Sequence, residues 1–319
     1  MTSRQFLVFF FSGFVAIGAI VVPLNMYVDI YGLFRPAQGR EIGVYGEERV
    51  AKYLHSFRYI PENFDGVLLG SSVSDNLHTK NFPGYRIYNA SIDGGNVQDL
   101  SLIAENIFRK QRPKLTIICI HRYLTNDDLK KTDLMAPKQY WAALGSPQLI
   151  TAYVSRMAIR HGLVTGKYDE YGALNTGTNN DIKTASKNIE RAVAEIQLGT
   201  AAVGNYNIDL SALQRLEKVI VTARHRSSRL LIFYPPIPAP ILAVRAAQLT
   251  HYRDTINALL EPNDIVVDFN SPDYTSLRAN PENFTDAVHL SATGTNLVLC
   301  ELGRVVARSE SNNERAGLD

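Results

Sequence analysis

Only two of the 319 residues are cysteine, Cys119 and Cys300. That is too few for a disulfide scaffold, and both stand in apolar runs, which predicts two buried thiols and leaves the redox compartment open. A surplus of one charge is also missing. With 33 Lys and Arg against 31 Asp and Glu, the formal net charge of +2 is too small to argue for nucleic acid or another polyanion. No internal repeat occurs, no lysine follows a glycine turn as in a phosphate loop, and no His, Cys, Asp and Glu cluster has metal-ligand spacing, so no metal or other cofactor is expected. What remains is a 45% hydrophobic, 20% charged chain, long enough to bury the core of one large domain with insertions, or of two.

The first feature present is an apolar run. Phe6 to Leu24 holds 19 residues without a charge, about 28 Å as a helix, close to the hydrocarbon thickness of a bilayer. A signal-peptide core would be shorter, and no small-x-small cleavage pattern follows, so residues 1–28 read as an uncleaved membrane anchor. Arg4 before the run and Arg35 and Arg40 after it give a weak charge bias toward a cytoplasmic body, which does not settle orientation, since large domains translocate largely regardless of charge.

Beyond the anchor, short apolar runs alternate with helical patterns. Val67 to Leu69, Arg86 to Asn89, Leu115 to Ile120, Arg229 to Tyr234 and Asp264 to Phe269 read as five strands. Glu47 to Phe57, Val97 to Phe108, Leu210 to His225, Ile241 to Leu260 and a final helix after Ser291 read as the helices between and around them. That alternation predicts an α/β fold with a doubly wound, flavodoxin-like parallel five-stranded sheet over 29–307. From Tyr123 to about Ser211 the pattern gives way to helical pieces, Gln139 to His161 and Asp181 to Gln197, read as an inserted cap. The polar tail, 308–319, is expected to be disordered.

The chain is organised around Asp65-Gly66-Val67-Leu68-Leu69-Gly70-Ser71-Ser72. A buried strand ends in a glycine, and small hydroxyl residues follow at the carboxyl edge of the sheet, where such folds place their ligand crevice. Taken alone, Gly-Ser-Ser is more often a packing glycine with a helix cap. A serine hydroxyl becomes a nucleophile when a histidine takes its proton, and a carboxylate on the other ring nitrogen fixes the tautomer. Asp286-Ala287-Val288-His289, in the loop after the fifth strand, supplies both partners. That pair too is more often a surface pair when it stands alone.

Three elements in this order, Gly70-Ser71-Ser72 after strand one, Asn89 with Gly94 after strand two, and Asp286-x-x-His289 before the last helix, resemble the SGNH/GDSL hydrolases. The likeness runs from about Gly66 to Leu302, with the insertion outside it. It is greatest to the membrane-anchored branch that includes alginate O-acetylation proteins and the DltD proteins of teichoic-acid D-alanylation. The resemblance implies Ser72 as nucleophile, the backbone N–H groups of Ser72 and Gly94 as oxyanion donors, His289 as base and Asp286 as its orienting acid. It further implies a body outside the bacterial cytoplasmic membrane, in the periplasm, an envelope polysaccharide as substrate and an integral-membrane partner delivering the acyl group. Two departures stand out. Ser71 replaces an aspartate, and Ile120-His121-Arg122-Tyr123 replaces the Gly-x-Asn-Asp segment, removing an oxyanion donor.

Asn89 is read as the structural anchor of the glycine turn and stays among the substrate-binding candidates with His121 and Arg122. His121 reads as a satisfied core histidine. Arg122 either grips an oxyanion or acidic sugar, or pairs at the surface with Asp127 or Asp128. Trp141, Tyr140 and Tyr153 read as core rather than as sugar-stacking rings. A serine acyltransferase or carbohydrate esterase is the expectation. A catalytically weak polysaccharide-binding scaffold is the alternative, motivated by the missing asparagine and the large insertion.

Overall fold

The computed structural model describes residues 2–126, 134–175, 182–200 and 206–316, with side chains to residue 311. In chain order its main elements are α1 (Ser3–Val28), α2 (Glu48–Phe57), β1 (Gly66–Leu69), β2 (Ile87–Asn89), α3 (Val97–Lys110), β3 (Leu115–Cys119), α4 (Gln148–Arg160), α5 (Ile182–Gln197), α6 (Leu210–Arg226), β4 (Leu230–Tyr234), α7 (Ala239–Asn257), β5 (Ile265–Asp268) and α8 (Ala292–Ala316). The five strands are all parallel in the order β2-β1-β3-β4-β5, so the winding reverses beside β1. β1, β3 and β4 are buried throughout, which is why they read as near-continuous apolar runs, broken only by Thr116 of β3, rather than as alternations. The doubly wound α/β expectation therefore holds.

α1 is long and apolar enough to cross a membrane, and none of its most apolar stretch is covered by the body. It meets the insertion at one polar point. Asn25 donates to the Leu144 carbonyl at 2.8 Å and accepts from the Tyr153 hydroxyl at 2.6 Å. The insertion is helical, but not as one cap. The expected helix from Gln139 to His161 breaks at Gly145-Ser146-Pro147 into Lys138–Ala142 and α4, with Pro147 at the N-cap of α4, since a proline inside a helix removes a hydrogen bond and crowds the preceding turn. Farther on, the Asn89 N–H donates to the Tyr171 carbonyl and the Leu174 N–H to the Asp75 carbonyl, both at 2.7 Å. The insertion thus covers the β2 edge, the standard remedy for an exposed strand edge.

Three expectations are corrected. The chain from Arg308 is helical through Ala316, because Glu310 binds Tyr85 and Arg229 and ties α8 to the body. Cys119 is buried but Cys300 is exposed, since helical periodicity turns it outward between Leu299 and Glu301. Trp141 is also exposed, whereas Tyr140 packs on Phe34 and Phe57.

Candidate active site

Every candidate residue lies at the carboxyl end of a strand, the position the winding makes concave. Ser72 follows β1, Gly94 follows β2, His121 and Arg122 follow β3, and Asp286 and His289 follow β5. The turn after β1 is compact. Gly70 is required by close approach rather than by a left-handed backbone, since a Cβ there would lie 2.0 Å from Ser74 Oγ and 3.0 Å from Cys119 Cβ. Ser71 does not cap the helix that follows. Its hydroxyl is buried without a partner, and that helix is a single turn, Ser72–Asp75.

Asp286 and His289 share a tight loop closed by the Thr285 N–H on the His289 carbonyl at 2.9 Å. Asp286 Oδ1 accepts from the Val288 and His289 N–H groups at 2.7 and 2.8 Å, which leaves Oδ2 for His289 Nδ1 at 2.9 Å. With the Nδ1 proton held there, Nε2 is the free acceptor, and it stands 3.2 Å from Ser72 Oγ. The Asp286 hydrogen bond raises the His289 pKa above its ordinary 6.5 against the lowering effect of burial, and Asp75 and Asp93 nearby act in the same direction. Burial alone would raise the Asp286 pKa, but the His289 partner and the two N–H donors hold it below 3.8.

The backbone N–H groups of Ser72 and Gly94 have no acceptor among the described residues. Gly94 sits at φ +57°, in the left-handed region that glycine adopts without strain. Its turn is held from outside the sheet by Arg49 of α2, which donates to the Asp93 and Gly94 carbonyls at 2.8 and 2.7 Å and pairs with Asp99. Unpaired N–H groups beside an activated hydroxyl are what a developing oxyanion requires.

Asn89 is not a substrate contact. It is fully buried, and its amide donates to the Ser74, Asp75 and Leu77 carbonyls at 2.7–3.1 Å while accepting from the Ser91 N–H. It clamps the turn that presents Ser72. Nor is His121 a satisfied core residue: it is buried, yet its Nδ1 has no partner. Arg122 is buried rather than at the surface, and Asp127 and Asp128 lie outside the described residues. Strand alternation ends at His121 because a 3₁₀ turn starts at Arg122, so both side chains line one pocket.

Three functional residues were not singled out from the sequence. Asn76 donates to the Leu290 carbonyl at 2.8 Å and joins the Ser72 turn to the His289 loop across 214 positions. Arg49 supports the Gly94 turn, and Arg245 lines the pocket with Arg122. A signal for Arg245 existed. It interrupts the Ile241, Leu249, Tyr252, Ile256 stripe of α7, where an apolar residue is the rule.

A serine hydroxyl, a carboxylate-oriented histidine and two idle N–H donors on a doubly wound α/β sheet form the arrangement that serine acyl transfer uses. No family model and no curated protein sequence matches the chain. Among solved structures it is similar to a catalytic mutant of an acetylxylan esterase from Geobacillus stearothermophilus, at 14% identity and a TM-score of 0.40 over 76% of this chain and 92% of the other. A protein described as a GDSL-like lipase from Parabacteroides merdae follows at 15% identity and 0.38, over 76% and 94%. One described as a platelet activating factor from Streptococcus pneumonia gives 13% and 0.39, over 84% and 92%. At such distance these neighbours bear on the fold alone, and the chemistry of this chain rests on its own geometry.

Proposed function

We propose that this protein is a membrane-anchored serine acyltransferase or esterase that moves acetyl or a similar small acyl group on or off a cell-envelope polysaccharide through an acyl-Ser72 intermediate. The observation that carries the reading is the hydrogen-bonded chain Asp286–His289–Ser72, at 2.9 and 3.2 Å, beside the idle N–H groups of Ser72 and Gly94. Ser72 Oγ attacks the acyl carbonyl as its proton passes to His289 Nε2. The carbonyl oxygen takes the negative charge and faces the two N–H donors. Collapse releases the alcohol, which takes the proton from His289. A sugar hydroxyl or water then gives its proton to His289 and attacks the acyl-Ser72 carbonyl, restoring the enzyme. A pure scaffold would not need this alignment.

The membrane placement is supported by α1 and by α4. Ile150, Val154 and Met157 of α4 are exposed at helical spacing, with Arg156 and Arg160 on the same helix and Tyr153 bonded to the end of α1. An apolar stripe flanked by arginines at the end of a spanning helix suits a bilayer surface. A periplasmic body at the cytoplasmic membrane of a bacterium, and an integral-membrane partner that delivers acyl groups, complete the reading. Its test is mass spectrometry of the Ser72 peptide after incubation of the full-length protein with an activated acetyl ester. An acetyl adduct on Ser72 that disappears when an acceptor sugar is added supports it. Turnover without any adduct, undiminished in Ser72→Ala, overturns it.

A further inference from the structure

Two arginines lie almost wholly inside the protein with no acid to neutralise them among the described residues. Arg122 is 5% and Arg245 9% exposed, and among the described residues neither has a carboxylate partner. Arg122 donates one bond, to the Tyr123 hydroxyl at 2.8 Å, with its guanidinium 4.4 Å over that ring. Arg245 Nη1 donates to Gln248 at 2.7 Å, and its Nε has no partner. Beside them His121, 6% exposed, leaves Nδ1 unpaired. Burial and the Arg122 charge hold its pKa well below 6.5, so it is a neutral ring.

All three line one tight pocket of about 20 Å³, room for no more than a compact group. Val73, next to Ser72, and Ala287 and Val288, between Asp286 and His289, form part of its wall, so the pocket adjoins the reacting centre. No acid lines it. Its far wall is rigid: Asn270 accepts from the Ile237 N–H and donates to the Pro235 carbonyl, both at 2.9 Å, fixing the loop after β4. An arginine cannot shed its proton, and a buried charge with idle N–H donors is costly unless something pairs with it. Guanidinium forks match a carboxylate geometrically.

We infer that this pocket is a carboxylate subsite: Arg122 and Arg245, with His121 as a further contact, hold a compact carboxylate of the ligand beside the ester that Ser72 attacks. The inference rests on the acyl-transfer reading and narrows its substrate class. Apolar walls at Ile237, Ile241 and Val288 suit one carboxylate on a carbon frame. The carboxylate can sit at the far end of the acyl group, as in a hemisuccinyl ester, or on the sugar, as in a uronate.

Matched esters separate these sources. The acyl-side pair is p-nitrophenyl hemisuccinate against its methyl ester, and the sugar-side pair is an O-acetylated methyl glucuronoside against its methyl ester. The full chain in detergent should favour the anionic member of one pair by about 10–100-fold in kcat/KM, the worth of one or two charge-assisted bonds. Arg245→Gln and Arg122→Gln should each bring that ratio toward one, and Arg245→Lys should keep part of it. Ratios near one in both pairs for the unmodified protein, or ratios untouched by both glutamine variants, overturn the subsite. Binding of glucuronate and of monomethyl succinate to Ser72→Ala gives a readout independent of turnover. Binding that weakens on adding Arg245→Gln upholds the subsite even if every ester is inert, an outcome that would defeat the acyl-transfer reading alone. No binding of either probe, with every ester inert, overturns both.

Discussion

The two flanks of Ser72 use their polar groups in opposite ways. On the β2 side the two side chains that shape the turn are fully engaged: Asn89 makes four hydrogen bonds to backbone, and Arg49 holds two carbonyls and Asp99. On the β4 side two buried guanidiniums keep N–H donors without a partner among the described residues, and one ring nitrogen of His121 lacks one too. A fully committed polar residue fixes backbone, and its loss exposes the groups it satisfied. A buried charge without a partner is instead a cost carried by the fold, tolerated where a ligand removes it. The difference separates the part of the crevice that positions the nucleophile from the part that waits for substrate.

The largest effect expected lies between the flanks. Ser72→Ala should lower kcat for an activated ester by about four orders of magnitude or more, measured by steady-state release of the leaving group. A residual rate within tenfold of normal would dissolve the distinction, because Ser72 would then be only another small residue in the turn. Asp286→Asn should cost up to about 10⁴-fold and His289→Ala somewhat more, since the asparagine leaves a base in the wrong tautomer and the alanine leaves none.

Next in size is the pH response. The base must be neutral, and its pKa is raised above 6.5 chiefly by the Asp286 hydrogen bond, so kcat/KM should fall about tenfold per unit below a midpoint above 6.5. In Asp286→Asn that midpoint should move back toward 6.5. Stability runs the other way. A histidine with a raised folded pKa contributes stability that is full below its unfolded value and is lost as pH rises through the folded one. Asp75 behaves alike, since burial pushes its carboxyl up to about 7. Its contribution is full below 3.8 and lost as pH rises through about 7, so Asp75→Asn should flatten that part of the stability profile in denaturant titrations.

The smallest effects sharpen the contrast of the flanks directly. Asn89→Ala strands three carbonyls and should destabilise the protein by about 1–3 kcal/mol in denaturant unfolding. Arg245→Met removes an unpaired buried charge and should be neutral or stabilising. Equal losses at both positions would mean that Arg245 is structural.

The strands were legible in the sequence because each rests on a local apolar run. Ser72, Asp286 and His289 were joined only by the order of their motifs and the resemblance it carries, since each motif alone favoured a bland reading. What escaped depends on partners distant in sequence. Nothing near Asn76 announces Leu290, and nothing near Arg49 announces the Gly94 turn. His121 and Arg122 were visible as a departure from a pattern, but the 3₁₀ turn that puts both into one pocket is set by the tertiary fold. The polar composition beyond Arg308 suggested disorder, and Glu310 meeting Arg229 and Tyr85 overrode it.

The central claim is that His289 activates Ser72, and the most direct measurement is the rate of fluorophosphonate labelling across pH 5 to 9. The account predicts labelling confined to the Ser72 peptide, rising with pH as His289 loses its proton, absent in Ser72→Ala and slow at every pH in His289→Ala. Equal labelling of Ser72→Ala, or a rate flat with pH and unchanged in His289→Ala, would contradict it.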